Sequence, residues 1–256
     1  MGSKRRFAKQ LLPIILKNKK VDQWFVEPFC GSCSITENVS GLRIANDIQP
    51  YLIAMYKAVQ DGWIPPSSLT KDEYQHIKNN IASYPPELVG FVGFGVSFGG
   101  KWMGSYAQDG KGVRNMCDES ARNVLKQKDK LSGVIFKNVD YTSLEIPPNA
   151  VIYCDPPYEN TTGYKLAGEF DHISFWNWVR DKSQYHDIFI SEYNAPDDFV
   201  LVHTIETTTS MNNIVKNKKA TEKLFISKEQ YERNKVKHYV QRKLFDDNGE
   251  YVGLLR

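Results

Sequence analysis

Residues 151–158 read Val-Ile-Tyr-Cys-Asp-Pro-Pro-Tyr. An apolar run ends in a carboxylate, two prolines and a phenol. Proline lacks an N–H and has a fixed φ, so Pro156-Pro157 cannot continue a hydrogen-bonded ladder. The backbone is therefore stiff where Asp155 and Tyr158 leave the strand. Such a tip can hold a flat, amino-bearing base. Asp155 and the Pro156 carbonyl can each accept one amino hydrogen, and the Tyr158 ring can stack on the base face. The plain alternative is a strand followed by a Pro-Pro turn, so the rest of the chain must decide.

Glu27-Pro28-Phe29-Cys30-Gly31-Ser32-Cys33 follows another apolar run. A glycine turn at a strand end lets a ligand approach the backbone, at the sheet edge where α/β folds bind ligands. It is not a dinucleotide fingerprint, because Gly31 stands alone. Asp47 lies 16 residues further on (47 − 31). An acid at that strand end can take both hydroxyls of a ribose; it can equally cap the next helix. Asp140-Tyr141 closes a later run as a third acid at a strand end. Lys4 sits near the amino terminus, where a simple basic terminus is the other reading.

These residues need a scaffold. A helix is expected over 5–18, interrupted at Pro13, then a strand at 24–27, a turn at Gly31-Ser32 and a helix opening at 34–39. A strand at 42–47 and a helix at 50–60 follow, the latter with Leu52, Ile53, Tyr56 and Val59 on one face. Strand–helix–strand–helix is the pattern of a parallel sheet with crossovers. It breaks after Asp61. Residues 63–133 contain Pro65-Pro66, Pro85-Pro86 and a glycine-rich run over 91–102 with no regular period. They read as an inserted, mostly helical domain, separating a main domain of 1–62 and 134–256. Strands are expected again at 134–139, 150–154 and 187–191. An antiparallel pair follows at 199–206 and 221–227, and then a hairpin around Asn248-Gly249.

Composition sets bounds. With 256 residues, 41% hydrophobic and 25% charged, a packed α/β core is affordable. A net charge of +3 is compatible with nucleic acid but does not demand it. Cys30 and Cys33 have C-x-x-C spacing, but no second pair of ligands follows, so they read as small buried thiols and no metal is expected. His172, His186 and His203 have no ligand spacing. No long apolar run is present, and four cysteines with no pairing pattern suggest a soluble, cytoplasmic protein with reduced thiols.

The order of these pieces resembles one family. Asp155-Pro156-Pro157-Tyr158 is similar to the Asp-Pro-Pro-Tyr motif of S-adenosylmethionine-dependent DNA amino-methyltransferases, in the Dam-type adenine-N6 (α) group. Glu27-Pro28-Phe29-Cys30-Gly31 resembles the Phe-x-Gly-x-Gly cofactor motif, with Cys33 where a second glycine is usual. Gly2-Ser3-Lys4, Asn46-Asp47-Ile48 and Asp140-Tyr141 are similar to further motifs in the same order. Ile190–Tyr193 and Glu222–Phe225 look like later family segments. The resemblance covers about residues 2–226.

The resemblance implies a Rossmann-like methyltransferase fold with a mixed, mostly parallel seven-stranded sheet, and an inserted helical target-recognition domain at 63–133. It implies S-adenosylmethionine as cofactor. Lys4 would close its pocket, and Glu27, Phe29 and Gly31 would hold the methionine part. Asp47 would take the ribose and Ile48 pack on adenine. Asp140 would accept from the adenine amino group and Tyr141 flank the ring, with Asp155 at the methyl end. Asp155, Pro156, Pro157 and Tyr158 would be catalytic, acting on the N6 of an adenine flipped out of double-stranded DNA. Cytosine-N4 methylation, or a catalytically silent DNA-binding relative, are the alternatives. Lys101, Trp102, Tyr106, Lys111 and Arg114 in the insertion, with Lys216 and Lys218, would face the DNA; a solvated surface is the bland reading. A cognate restriction endonuclease, an orphan role, a monomer and a dimer all remain compatible.

Overall fold

The computed structural model describes residues 4–110, 113–159, 170–209 and 218–235. Its centre is a seven-stranded sheet in the order β3-β2-β1-β4-β5-β7-β6. The strands are β1 (Phe25–Glu27), β2 (Arg43–Asn46), β3 (Val134–Lys137), β4 (Val151–Cys154), β5 (Asp187–Ser191), β6 (Phe199–Thr209) and β7 (Lys218–Ser227). The first five pair in parallel, while β7 pairs antiparallel with both β5 and β6. This mixed, mostly parallel order is the expected Rossmann-like methyltransferase fold.

Every residue of β1, β2 and β4 is buried, as a parallel sheet covered on both faces requires. Alternate side chains go to opposite faces. Phe25, Val151, Tyr153 and Phe189 meet Leu11 and Ile15 of α1 (Ala8–Ile15) on one side. Val26, Ile152, Ile188 and Ile190 meet α6 (His172–Ser183) on the other, through Phe175, Trp178 and Val179. No element is expected from the sequence at α6. Its aromatic run Phe175-Trp176-Asn177-Trp178 hides the helical period, yet Asp171 caps it by accepting from Ser174 N at 3.0 Å.

The segment after β1 departs from expectation. Residues 34–39 form a single 3₁₀ turn, Thr36–Asn38, rather than opening an α-helix. The reason is that Glu27 Oε2 accepts from the Thr36 N–H at 3.0 Å and from its hydroxyl, pulling the turn onto the end of β1. The hairpin expected around Asn248-Gly249 lies outside the described residues.

Between β2 and β3 run α2 (Pro50–Gln60), α3 (Lys71–Asn79), α4 (Pro86–Gly90), a π-helical turn at Phe91–Gly95 and α5 (Met116–Leu125). Thr70 and Glu73 form a capping box on α3. The irregular 91–102 run is explained by packing. Val89, Phe91, Val92 and Phe94 share one core with Leu52, Met55 and Tyr56 of α2. Gly90 lies so close to α2 that an added Cβ would be 2.0 Å from the Tyr51 carbonyl oxygen.

That contact generates a prediction. Gly90→Ala should destabilise the protein by about 3 kcal/mol, the upper range for overpacking, because backbone rather than a mobile side chain blocks the new methyl. Thermal unfolding of the variant checks this. A melting temperature equal to wild type would mean that the insertion is not clamped to α2 as described.

Candidate active site

The strand order reverses between β1 and β4. From β1 the chain proceeds to β2 and β3 on one side, and from β4 to β5 on the other. A crevice opens at the carboxyl ends of two such strands. Glu27 ends β1, Asp47 follows β2, Asp155 follows β4 and Glu192 follows β5, so four acids converge on this edge.

Asp155 is joined there by residues remote in sequence. Lys4 Nζ lies 3.0 Å from Asp155 Oδ1 and 3.0 Å from Glu222 Oε1 on β7. The Tyr158 hydroxyl donates to Glu222 Oε1 at 2.8 Å and meets Lys4 Nζ, whose ammonium is 4.6 Å from the ring centroid. Tyr193 stands edge-on to that ring at 4.7 Å. Burial raises the Asp155 carboxyl above its ordinary range, and the Glu222 charge adds to this, while Lys4 opposes it. Burial pulls the Lys4 ammonium down, but Asp155 and Glu222 outweigh it and hold Lys4 protonated. Next to them, Glu192 accepts from the backbone N–H of Glu159 at 2.8 Å and of Tyr193 at 2.5 Å, which fixes both flanks of the tip.

The glycine turn is held from several sides. Asp47 Oδ2 accepts from Gly31 N at 3.0 Å and Oδ1 from Gln49 N at 3.0 Å. The Tyr56 hydroxyl of α2 donates to the Gly31 carbonyl at 3.2 Å. Buried Asn46 braces three strand ends. Its amide donates to the carbonyls of Pro28 and Val139, both at 3.0 Å, and accepts from Val139 N at 3.1 Å. Gln127, just after α5, donates to the Ser32 carbonyl at 3.0 Å and to Glu37 at 2.7 Å. Cys33 takes φ +54°, a left-handed conformation that favours glycine. The substitution is therefore accommodated at a cost in backbone strain, with the thiol buried beside Cys30. Cys30, Cys33, Cys117 and Cys154 are all free and buried, as small thiols would be.

Of the residues expected to hold a cofactor, Phe29 and Tyr141 do come together, with ring centroids 5.2 Å apart, in a cluster with Phe170 and Phe175. Ile48 is 51% exposed and open to a ligand. Asp140 is exposed and accepts from the backbone N–H of Thr142 at 2.9 Å. Glu27 is only 3% exposed, and the Thr36 turn engages it. Burial pushes its carboxyl up to about 8, despite the Thr36 hydrogen bonds. Lys4, expected to close the pocket, reaches the Asp155 tip.

The expected DNA-facing residues divide. Lys101 is exposed. Trp102 stacks on Tyr51 of α2 at 5.5 Å and packs against Phe94 at 4.9 Å, in the space Gly93 leaves. The Tyr106 hydroxyl donates to the Leu69 carbonyl at 2.6 Å. Arg114 pairs with Glu119 through bonds of 2.8 and 2.5 Å. Trp102 thus packs the insertion onto α2, and Tyr106 bonds within the insertion. Lys111 and Lys216 lie outside the described residues, and of Lys218 only its backbone place at the start of β7 is described.

Glu222, Glu192, Asn46 and Tyr193 are the site residues that sequence reasoning assigned no role. Their neighbours Leu224-Phe225 and Ser191 carry the strand pattern that fixes their register, but not the tertiary pairing with Lys4 and Tyr158.

Residues 1–85 match the family model for D12 class N6 adenine-specific DNA methyltransferases. This stretch includes Lys4, the Gly31 turn and Asn46-Asp47, and the match stands at the level of that class rather than of its Dam-type members. Two solved structures are similar at long range. One is a candidate RNA methyltransferase from Pyrococcus horikoshii, 10% identical, with a TM-score of 0.39 over 86% of this chain and 83% of that one. The other is SMU.472, a candidate methyltransferase complexed with SAH, 13% identical, with a TM-score of 0.32 over 88% of this chain and 52% of that one. Likeness this distant carries no argument; the fold rests on the strand order itself. No described helix is long and apolar enough to cross a membrane.

Two predictions follow from the geometry around Glu27 and Cys33. At an ordinary site glycine is about 1 kcal/mol worse than alanine, but left-handed strain of roughly 1–2 kcal/mol reverses the balance at Cys33. Cys33→Gly should therefore unfold at a denaturant concentration equal to or above that of Cys33→Ala; the opposite ranking would remove the strain account. The second concerns pH. Glu27 has a folded pKa raised to about 8, so its protonated form favours folding below its unfolded pKa, and that stability is lost as pH rises through about 8. Glu27→Gln lacks this dependence. The stability advantage of wild type over the variant should shrink between pH 5 and pH 9 in chemical denaturation, and a constant difference would refute a neutral buried Glu27.

Proposed function

We propose that the protein transfers a methyl group from S-adenosylmethionine to the exocyclic N6 of adenine in double-stranded DNA. The observation that carries this reading is the Asp155-Pro156-Pro157-Tyr158 tip at the switch point, one strand away from the Gly31–Asp47 turn. A tip suited to hold a base and a turn suited to approach a ligand thus lie at neighbouring strand ends. The D12-class match over residues 1–85 agrees with it.

The residues present fit the cofactor. A sulfonium is cationic, and the crevice edge carries Asp47, Asp155 and Glu192 against the ammonium of Lys4. Each oxygen of Asp47 accepts one backbone N–H and keeps a lone pair for a ribose hydroxyl. Phe29, Tyr141 and exposed Ile48 offer apolar faces for the adenosyl part. When bound, the cofactor supplies a methyl group already activated on sulfur, so no protein nucleophile is required.

The adenine amino group is a poor nucleophile because its lone pair is delocalised into the ring. Asp155 and the Pro156 carbonyl would accept its two hydrogens, and the stiff Pro-Pro backbone would keep both acceptors in one orientation. Held in this way, the nitrogen would pyramidalise and direct its lone pair at the methyl group that the cofactor would supply, with the sulfur as leaving group. The methylated nitrogen is cationic until one proton leaves, and the Asp155 carboxylate is the acceptor within reach. Tyr158 would stack on the base, which must leave the duplex to enter the crevice. The gain comes from orientation and fixed charge, in favourable cases about 7–11 kcal/mol for orientation alone. The insertion at 63–133, with Lys101 exposed, would read the DNA.

Incubation with unmethylated DNA and S-adenosylmethionine, followed by nucleoside mass spectrometry, tests this reading. Wild type should form N6-methyladenine, and Asp155→Ala should lower the rate by roughly 10²–10³. N4-methylcytosine would move the assignment to the other exocyclic amine. No methylated base in DNA would overturn the proposal.

A further inference from the structure

The reaction proposed above assigns work to Asp155, Pro156 and Tyr158 but leaves Glu222 unexplained. Glu222 is a carboxylate, 6% exposed, on the antiparallel strand β7, remote in sequence from every motif at the tip. Burying it is costly, and a stable fold does not require it there. Its partners are two groups that the site already uses. Oε1 lies 3.0 Å from Lys4 Nζ and accepts from the Tyr158 hydroxyl at 2.8 Å.

Charge explains the arrangement. Lys4 and Asp155 alone would form a closed, neutral pair, with the ammonium drawing charge from the oxygens that must accept the amino hydrogens. Two carboxylates around one ammonium leave an excess of one negative charge in a buried site. That excess suits a nitrogen that becomes cationic as it takes the methyl group. The bond to Tyr158 also pins the ring that would stack on the base.

We propose that Glu222 is a positioning residue for methyl transfer, dividing the Lys4 ammonium between two carboxylates so that Asp155 stays a strong acceptor, and tethering Tyr158. This inference rests on the function proposed above. Among the described residues, the groups facing Asp155 are Lys4 from the N-terminal turn, Glu222 from β7, Glu27 from β1, Glu192 after β5, and Tyr153, Cys154 and Tyr158 from its own segment. Lys4 is the cation among them, so its hold on Asp155 decides the direction of any change.

The test is Glu222→Gln, nearly isosteric and still able to accept from Tyr158, made in wild-type and Lys4→Met backgrounds. In the wild-type background, kcat should fall roughly tenfold or more, with KM for S-adenosylmethionine unchanged. The acid limb of the kcat profile should move to lower pH, since Lys4 then acts on Asp155 alone. In the Lys4→Met background the same substitution should cost less, because the part that runs through the Lys4 ammonium is gone while the direct Glu222 charge on Asp155 remains. A wild-type rate and pH profile in Glu222→Gln would overturn the inference, as would an equal loss in both backgrounds. A ¹³C titration of the aspartate carboxyls, with Asp155→Asn to assign the signal, needs no substrate. A lower Asp155 pKa in Glu222→Gln than in wild type is expected, and an unchanged or higher one would refute the charge argument. Failure of the function itself reads differently: wild type would form no N6-methyladenine, while the titration would still decide what Glu222 does to Asp155.

Discussion

The structure turns on one half-buried ammonium. Lys4 joins the amino-terminal turn, the tip after β4 and the antiparallel strand β7 through Asp155 and Glu222. Each carboxylate alone would be expensive to bury, and so would the ammonium; together they are tolerable. Such a cluster adds little net stability compared with apolar packing, but removing one member strands the others. Its value is geometric. It fixes the register of three chain segments where the crevice opens, and it ties the aromatic ring of Tyr158 to the sheet rather than to its own loop.

The second constraint is α2. Its first residues follow Asp47, its Tyr56 hydroxyl holds the Gly31 carbonyl, and its Tyr51 carries Trp102 from the insertion. Gly90 and Gly93 exist where they do because backbone and an indole ring occupy the space a methyl would need. At the other end of the insertion, Gln127 reaches the Ser32 carbonyl. The inserted segment is thus attached to the glycine turn at both ends by packing and hydrogen bonds. A change in how the insertion sits would be felt at the turn, since close-packed contacts transmit displacement.

What the sequence discloses follows from how local each feature is. The parallel strands, α2 and the Asp155 tip are written in short apolar runs and in proline stereochemistry, so they are legible at once. The Cys33 departure was also legible, as a side chain where the turn wants glycine, and φ +54° is its structural counterpart. Helix α6 was not, because its buried face is built from Phe175, Trp176 and Trp178 with little polar contrast. The 34–39 turn was not either, since its form depends on Glu27 turning back to Thr36. Trp102 has a packing role that local sequence does not disclose. Beside glycines and a lysine it suggests a ligand contact, yet the nearby Gly93 is the space into which it folds. Pairings such as Lys4 with Glu222 span almost the whole chain, and only the register of β7 against β5 brings them together.

The buried acids also explain why the site can tolerate strain and charge that a stable core would avoid. Glu27 and Asp47 hold the turn by accepting backbone and hydroxyl hydrogens, so burial leaves them satisfied even where it favours the neutral form. Asp155 is different: its partner is a charge, shared with a second acid. Glu27, turned onto Thr36, serves the scaffold, while Asp47 keeps a lone pair on each oxygen beside its N–H donors. A group balanced between an ammonium and a neighbouring carboxylate can strengthen its hold on a passing cation without breaking any bond of the scaffold. That contrast separates the acids on one sheet edge: Glu27 is engaged by the scaffold, Asp47 retains lone pairs beside its backbone bonds, and Asp155 is held against a charge.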